Sequence, residues 1–261
     1  MGQMIWLELS DFWWLPEHIT STELLVGMGH HHPLTDDENP CSVEWFHSAG
    51  EGHELSRAHR RYRLDFLKEW RSLCNNTNVY RTLELFTSDT GQSKILGPFL
   101  VDIDNANWKD GYEENLRDAL LVTRRVVGFL SRHCKLRDLD LRVFFSGRKG
   151  FNIEVRPQAL GINGPVAQQK RLSAEKLQEI VNHFGTGSNI VGCKDTTIDK
   201  IYGNRFSNYK LKHPYIRLHG SWNKWVGENN IWKARSKIEL TPEELTTLTV
   251  DEICARAERL K

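Results

Sequence analysis

The most constraining feature of the sequence is an apolar run that leads into two aspartates, Phe-Leu-Val-Asp-Ile-Asp at positions 99–104. Side chains alternate between the two faces of a strand, so Asp102 and Asp104 point one way while Val101 and Ile103 point into a core. Two like charges this close together repel each other and favour a cation between them. The run therefore predicts a strand with a divalent-metal site. Because Asp-x-Asp also occurs by chance on surface strands, other segments have to decide between the two readings.

The segment that follows contains both helix and strand patterns. The apolar stripe from Leu116 to Cys134 predicts a helix, and residues 139–145 and 151–155 predict two strands joined by a tight turn. A second helix is expected to be capped by Ser173 and to end at Gly185. One further strand after this helix would complete the order strand, helix, strand, strand, helix, strand.

This order predicts an α+β fold with an RRM-like sheet, antiparallel or mixed, and helices packed on one face. We expect one compact unit with three parts: an N-terminal α/β module (1–95), the RRM-like catalytic module (96–240) and two C-terminal helices (241–261) that open with Thr-x-x-Glu capping boxes. In the N-terminal module we expect a short strand or helix start followed by long loops over 1–52, a basic amphipathic helix over 53–73 and a strand over 79–87.

Composition narrows the class of protein. The chain has 261 residues, is 39% hydrophobic and 26% charged, and carries a formal net charge of +1. These values are typical of a soluble globular protein, and any nucleic-acid binding has to come from local basic patches. The sequence has no apolar stretch of membrane-spanning length and no secretory signal pattern, so we expect a cytoplasmic protein, nucleoid-associated if prokaryotic, with no membrane partner. Its five cysteines are scattered without a Cys-x-x-Cys pair, which predicts reduced thiols.

The turn between the two predicted strands, Ser-Gly-Arg-Lys-Gly-Phe-Asn at 146–152, combines glycines with cations and polar side chains. Glycines let backbone N–H groups approach an anion, and Arg148 and Lys149 neutralise its charge, so a phosphate chain is the natural ligand. The spacing and the strand-turn-strand context differ from those of a Walker A loop. A basic surface turn without a ligand is the competing interpretation.

A third cluster lies at Tyr-Ile-Arg-Leu-His-Gly-Ser-Trp-Asn-Lys, residues 215–224, where a predicted strand runs into another basic turn. Its polar side chains are potential donors to a triphosphate or to a template phosphate. Upstream of it, Asp199 follows the apolar Ile198 and offers a further carboxylate.

Together these segments resemble the archaeo-eukaryotic primase superfamily, which includes replicative primase small subunits, primase-polymerases and polymerase domains of bacterial end-joining ligases. The match runs from about Tyr80 to Lys237. The run into Asp-x-Asp is similar to the first family motif, 146–152 to the second (Ser-x-x-x-Gly-apolar-His), Ile198-Asp199 to the third, and 216–224 to an Arg-Leu-Pro-x-Ser-x-x-Lys segment. Two positions depart from the family: Asn152 replaces a histidine and His219 replaces a proline. The zinc motif of many primases is also absent from the sequence.

The resemblance implies template-directed nucleotidyl transfer by a DNA primase or a DNA-dependent polymerase with a two-metal mechanism. It implies that Asp102, Asp104 and Asp199 are catalytic and bind two Mg²⁺ or Mn²⁺ ions, with Asp195 as a competing choice for the third ligand. The residues expected to bind the nucleoside triphosphate are Ser146, Arg148, Lys149, Asn152, Arg217, Ser221, Asn223 and Lys224. The residues expected along the DNA, a single-stranded template or a primer–template, are Lys210, Lys212, Trp222, Trp225, Trp232 and Lys233. Core packing is the simpler competing interpretation for most of the tryptophans. Helicase, ligase or other replication and repair proteins are further expected partners.

Other functions remain open at this stage. A metal-dependent nuclease or phosphoesterase would use the same carboxylates to activate water. A non-catalytic nucleic-acid-binding subunit with a decayed primase site is supported by Asn152, because an amide cannot carry the charge of a histidine. In a purely structural protein the carboxylates would be surface caps. The sequence does not distinguish ribonucleotides from deoxyribonucleotides, primer synthesis from extension, one biological pathway from another, or one oligomeric state from another.

Overall fold

A computed structural model of the protein describes residues 13–14, 24–31, 61–63, 78–87, 93–105, 115–185, 189–190, 193–194, 196–199, 215–226 and 232–259. In chain order the strands are β1 (Leu24–His31), β2 (Arg61–Arg63), β3 (Asn78–Thr87), β4 (Ser93–Leu96), β5 (Phe99–Asn105), β6 (Leu141–Phe145), β7 (Gly150–Val155), β8 (Asn189–Ile190), β9 (Cys193–Lys194), β10 (Thr196–Asp199), β11 (Tyr215–Arg217), β12 (Trp222–Val226), β13 (Trp232–Ser236) and β14 (Ile238–Leu240). The helices are α1 (Asn115–His133), α2 (Val166–Phe184), α3 (Pro242–Thr247) and α4 (Val250–Arg259). Within these ranges, no helix is both long enough and apolar enough to cross a membrane.

The central sheet is antiparallel, with its strands in the spatial order β10-β5-β7-β6-β14. Along the chain its elements follow the order β5, α1, β6, β7, α2, β10. Two helices that connect strands of one antiparallel sheet in this way give the RRM-like arrangement, to which β14 adds a strand beyond β6. The predicted α+β fold is therefore confirmed.

The helices cover one face of this sheet. Val101 and Ile103 of β5 and Ile153 of β7 are fully buried, and they share one core with apolar side chains of α1 and α2. The apolar residues of α1 recur every three or four positions, so a single stripe of that helix faces the sheet. Helices α3 and α4 add apolar side chains to the same core.

Helix α2 begins at Val166, directly after Pro165, and not at Ser173 as the sequence predicts. Ser173 is buried within the helix, so the predicted cap is wrong. The preceding stretch contains Ala, Gln, Lys, Arg and Leu, which all favour helix, and the side-chain amide of Gln169 donates to the Gly164 carbonyl at 2.6 Å. The predicted end is confirmed, because the N–H of Gly185 donates to the carbonyl of Val181 at 2.8 Å.

A second sheet has the order β11-β3-β1-β2, and β4 also pairs with β3. It corrects two predictions about the N-terminal module. Residues 24–31 form a strand and not a loop, and residues 61–63 form a strand and not part of a helix. Tyr62 lies opposite Val26 of β1, and this long-range pairing overrides the local helical spacing. The remaining residues of 1–52 and 53–73, apart from Trp13 and Trp14, lie outside the described ranges, whereas the strand predicted over 79–87 is confirmed as β3.

The two sheets meet at a small apolar cluster formed by Leu83 of β3, Leu100 of β5 and Ile216 of β11. Leu100 lies on the face of the central sheet that is opposite to the helices. The N–H of Gly97, just before β5, also donates to the carbonyl of Leu83. The face opposite to the helices also carries Asp102, Asn152 and Glu154, and we call it the polar face. The second sheet therefore covers one end of the polar face.

Both C-terminal helices open with the predicted capping boxes. The N–H of Glu244 donates to the Thr241 hydroxyl at 3.1 Å, and the Thr241 N–H donates to the Glu244 carboxylate at 2.9 Å. Thr249 and Glu252 repeat the arrangement. The backbone N–H bonds from the two threonines lower the pKa of both glutamates, since they stabilise the ionised form.

Candidate active site

Three polar residues occupy aligned positions on neighbouring strands of the central sheet, and those on β5 and β7 lie on the face opposite to the helices. Asp199 of β10 is the Cα partner of Asp102 on β5, and Asp102 is in turn the partner of Asn152 on β7. Partners in antiparallel strands have their side chains on the same face, about 4.5–5.5 Å apart at Cβ. The Asn152 amide donates to Asp102 Oδ1 at 2.6 Å. The register thus brings the predicted first, second and third segments into one row.

Asp104 follows on the same face of β5 and is nearly buried. Its carboxylate lies 2.7 Å from the ammonium of Lys149, which is half exposed. Gly150 is the partner of Asp104 across β5 and β7. A Cβ at Gly150 would overlap the Ile103 carbonyl oxygen and the Asp104 side chain, so only glycine lets the two strands pair at this point.

The turn at 146–149 is fixed against the ribbon formed by β12 and β13. Gly147 has a φ of +88°, which glycine adopts without strain, and its Cα faces the Arg235 carbonyl. The Asn223 amide donates to the Ser146 carbonyl at 3.3 Å, and the Arg148 guanidinium lies 5.5 Å from the centroid of the Trp225 ring. The structure therefore brings the segment at 146–152 next to the segment at 215–224.

Several of the predicted phosphate donors contact the protein itself. The Arg217 guanidinium donates to the Trp222 carbonyl at 2.9 Å, and the Ser221 hydroxyl donates to the Leu218 carbonyl at 2.7 Å. Both interactions stabilise the turn at 217–222. The side chains of Asp199 and Lys224, and the whole of Asp195, lie outside the described part of the structure.

The predicted DNA surface is only partly described. Trp225 is 4% exposed and packs near the guanidinium groups of Arg148 and Arg235, so its ring is a packing element and not an open stacking platform. Trp222 and Lys233 are partly exposed. Lys210, Lys212 and the Trp232 side chain lie outside the described part of the structure.

Sequence reasoning missed a buried ion pair on the same face. The ammonium of Lys237 lies 2.9 Å from the carboxylate of Glu154, and both side chains are almost fully buried. Because side chains alternate along a strand, the sequence of β7 predicts that Glu154 lies on the same face as Asn152. Nothing in the local sequence marks Lys237, because its partners are distant in the chain.

Two carboxyl groups farther along the sheet have pKa values that are shifted in opposite directions. Burial raises the pKa of Glu239 on β14, although Arg142 lies 3.6 Å away and opposes the shift. Asp140, just before β6, accepts two hydrogen bonds from the Arg137 guanidinium at 2.9 and 3.1 Å. These bonds lower the pKa of Asp140.

The donor set on this face suits a hard divalent cation. Asp102 and Asp104 supply carboxylate oxygens, the ligand type that Mg²⁺ and Mn²⁺ prefer. Among the side chains that the structure describes, no group of three His, Cys, Asp or Glu residues is placed to hold a metal ion. The backbone position of Asp199 opposite Asp102 is where a third carboxylate would come from.

No protein-family model matches the chain, and no curated protein is significantly similar to it in sequence. Among solved structures, the chain is similar to the polymerase domain from Mycobacterium tuberculosis Ligase D in complex with DNA. The sequence identity is 15% and the TM-score is 0.46, over 95% of this chain and 86% of that chain. A similarity this weak does not show what the protein does.

Proposed function

We propose that the protein is a template-directed nucleotidyltransferase, a DNA primase or a DNA-dependent polymerase of the archaeo-eukaryotic primase type. The observation that carries the proposal is the row formed by Asp199, Asp102 and Asn152. Asp104 lies two residues after Asp102 on β5 and contacts Lys149 of the basic turn 146–149. Acidic side chains for metal ions and basic side chains for phosphates are both needed for phosphoryl transfer. The motif order in the sequence supports the same assignment independently.

In this proposal Asp102, Asp104 and Asp199 hold two Mg²⁺ or Mn²⁺ ions. When bound, such ions lower the pKa of the attacking 3′-hydroxyl and stabilise the leaving pyrophosphate. Asn152 orients Asp102 through its 2.6 Å hydrogen bond. In the family, a histidine at this position would hold a phosphate. Here the main role proposed for Asn152 is to orient the metal ligand Asp102, and its secondary role is to bind the nucleotide.

The cations of the turn bind the triphosphate. Lys149 is half exposed and reaches Asp104, so its ammonium can exchange that carboxylate for a phosphate oxygen. Arg148 is held close to Trp225, which limits the orientations that its guanidinium adopts. Ser146, Arg217, Ser221, Asn223 and Lys224 complete the proposed nucleotide site. The present hydrogen bonds from the side chains of Arg217, Ser221 and Asn223 to backbone carbonyls fix the shape of the turns that surround it.

DNA is the proposed partner, as a single-stranded template or a primer–template. An RRM-like sheet presents to nucleic acid the face that its helices leave uncovered, and here that face carries the acidic row. A helicase or ligase partner and a nucleoid location follow only from the family resemblance.

One observation favours a second candidate, a non-catalytic nucleic-acid-binding subunit. Asp102 already accepts a hydrogen bond from Asn152, and the charge of Asp104 is already offset by Lys149. A decayed site would retain such contacts and lose turnover. Binding and turnover therefore have to be measured separately.

The test replaces Asp102 and Asp104 together with Asn, which keeps the side-chain shape and removes the charge. Incorporation is measured on a labelled template, with and without a primer, with both sugar types and with Mg²⁺ or Mn²⁺. We expect the rate to fall by about a thousandfold, which equals about 4 kcal/mol of transition-state stabilisation. Asp138→Asn is the matched control, because Asp138 is exposed and lies away from the acidic row, so the parent rate is expected.

Each alternative gives a different result. Strand shortening that depends on the two aspartates would identify a nuclease or phosphoesterase. DNA binding by the parent protein without metal-dependent turnover would favour the non-catalytic subunit. Incorporation at the parent rate in the double variant would exclude the metal-site assignment.

A further inference from the structure

Lys237 is a buried lysine between β13 and β14. Its side chain is 1% exposed, and its ammonium lies 2.9 Å from Glu154 Oε1 and donates to the Arg217 carbonyl at 3.0 Å. The same ammonium lies 4.4 Å from the centroid of the Phe144 ring. Burying a charge costs several kcal/mol unless it is paired and hydrogen-bonded, so these partners explain how the lysine tolerates burial.

The backbone of Lys237 contacts the same turn as its side chain. Its N–H donates to the Ser221 carbonyl at 2.9 Å, and its carbonyl accepts from the Gly220 N–H at 2.8 Å. The turn 217–222 is therefore held at three points by one residue. Through the ion pair, the turn is also connected to β7, where Glu154 lies two positions after Asn152 on the same face.

We infer that Lys237 and Glu154 form a positioning pair that places the turn 217–222 relative to the row of Asp102 and Asn152. The inference rests on the proposed function, because it assigns the pair to the nucleotide site. Neither residue touches substrate in this assignment; both act through the turn and through β7.

Stability alone does not account for the pair. Replacing a buried ion pair by apolar residues of similar volume is often neutral or stabilising, so a Met–Leu pair would serve the core equally well. An apolar pair would not form the directed hydrogen bond to the Arg217 carbonyl. What the ion pair adds is therefore geometry, and a shift of about 1 Å in groups that orient a substrate costs up to about a hundredfold in rate.

The experiment replaces both partners, Lys237→Met together with Glu154→Leu. A single Lys237→Met change would leave the Glu154 charge buried and unpaired, and the protein would then be at risk of not folding. The matched control is Arg142→Met together with Glu239→Leu. This change also removes an ion pair from the polar face, but that pair is one-third exposed and joins β6 to β14.

We expect both double variants to unfold near the parent temperature. In the Lys237/Glu154 variant the KM for the incoming nucleotide should rise by about tenfold or more, with a smaller change in kcat, because binding groups move while the metal ligands stay in place. The control should keep the parent KM. Equal KM values in the parent and in the folded Lys237/Glu154 variant would overturn the inference and leave the proposed function intact.

Hydrogen exchange provides a readout that does not need activity. The Gly220 amide should exchange about tenfold faster in the folded Lys237/Glu154 variant than in the parent or the control, because its turn has lost its side-chain anchor. Unchanged exchange at Gly220 would overturn the positioning role. If the parent neither binds nucleotide nor incorporates it, the proposed function fails, and the exchange result still decides whether the pair holds the turn.

Discussion

The two faces of the central sheet are built from alternate residues of the same strands and differ in what holds them. On β7, Ile153 is 0% exposed and contacts the helices, while its neighbours Asn152 and Glu154 are 7% and 4% exposed on the other face. On β7 the residues of the two faces are therefore almost equally buried. Apolar packing holds the helix face, whereas hydrogen bonds and ion pairs hold the polar face.

Along β7, burial therefore does not distinguish the core from the candidate site. Apolar packing depends on volume, so substitutions on the helix face should change mainly the free energy of unfolding. Hydrogen bonds and ion pairs depend on direction, so substitutions on the polar face should change mainly the geometry of the site.

The largest loss of stability is expected from Ile153→Ala. Removing a fully buried isoleucine leaves a cavity under α1 and α2 and should lower the free energy of unfolding by about 2–5 kcal/mol. The nucleotide KM of the folded fraction should stay at the parent value. Denaturant titration followed by an incorporation assay on the folded fraction measures both quantities.

The control for this substitution is the adjacent residue on the other face. Asn152→Ala removes one hydrogen bond to a carboxylate, so we expect a loss of about 1.5 kcal/mol together with reduced metal-dependent incorporation. If the two variants lost the same stability and kept the same activity, the two faces would not differ in the way proposed.

The second prediction concerns Gly150, where the two faces meet a steric limit. Gly150→Ala would push β7 away from the Ile103 carbonyl and from Asp104, which should cost about 1–3 kcal/mol and lower incorporation as well. Gly128→Ala is a matched control, since a methyl group there meets only the flexible end of Arg132 in α1. In a helix that change should raise stability by about 0.5–1 kcal/mol. A neutral Gly150→Ala variant would show that β5 and β7 can separate freely.

Local patterns in the sequence were sufficient for much of this architecture. The strand at 99–104, the stripe of α1 and the alternation of β7 each depend on neighbours within a few residues, and the structure has all three. The same alternation put Asp102 and Asp104 on one face. These features follow from the periods of strands and helices, which a single segment displays by itself.

Features that depend on distant segments could not be predicted in this way. The strand at 61–63 forms because β1 is available as a partner, and the position of Asp199 opposite Asp102 requires the register between β5 and β10. Lys237 gained its role from partners that are far away in the chain. At these positions strand pairing and burial override the local propensity. A short stretch of sequence does not reveal them, because the interacting residues are far apart in the chain.

The third prediction concerns the carboxylate of Asp140, which lies just before β6 at the edge of the sheet. Hydrogen bonds from Arg137 lower the pKa of Asp140, so its ionised form stabilises the folded protein above the pKa of the unfolded chain, about 3.9. That contribution disappears as the pH falls towards the folded pKa. Asp140→Asn should therefore lower stability at neutral pH and flatten the loss of stability in acid, measured by denaturant titration between pH 2 and 7. A variant with an unchanged acid profile would show that the Arg137 pair contributes nothing in solution.

The smallest effect, with the opposite sign, is expected at Glu239 on the polar face. Burial raises the pKa of Glu239, so the folded protein holds this proton more tightly than the unfolded chain does. In the unfolded chain a glutamate has a pKa of about 4.3. Below that pH both states are protonated and the residue costs nothing. As the pH rises through the two values the unfolded state ionises first, and folding loses stability. Glu239→Gln should remove this loss and raise stability slightly at neutral pH, because desolvation outweighs the 3.6 Å contact with Arg142. A fall in stability at neutral pH would mean that the ion pair dominates, and the polar face would then be held by attraction between charges even where those charges are only partly buried.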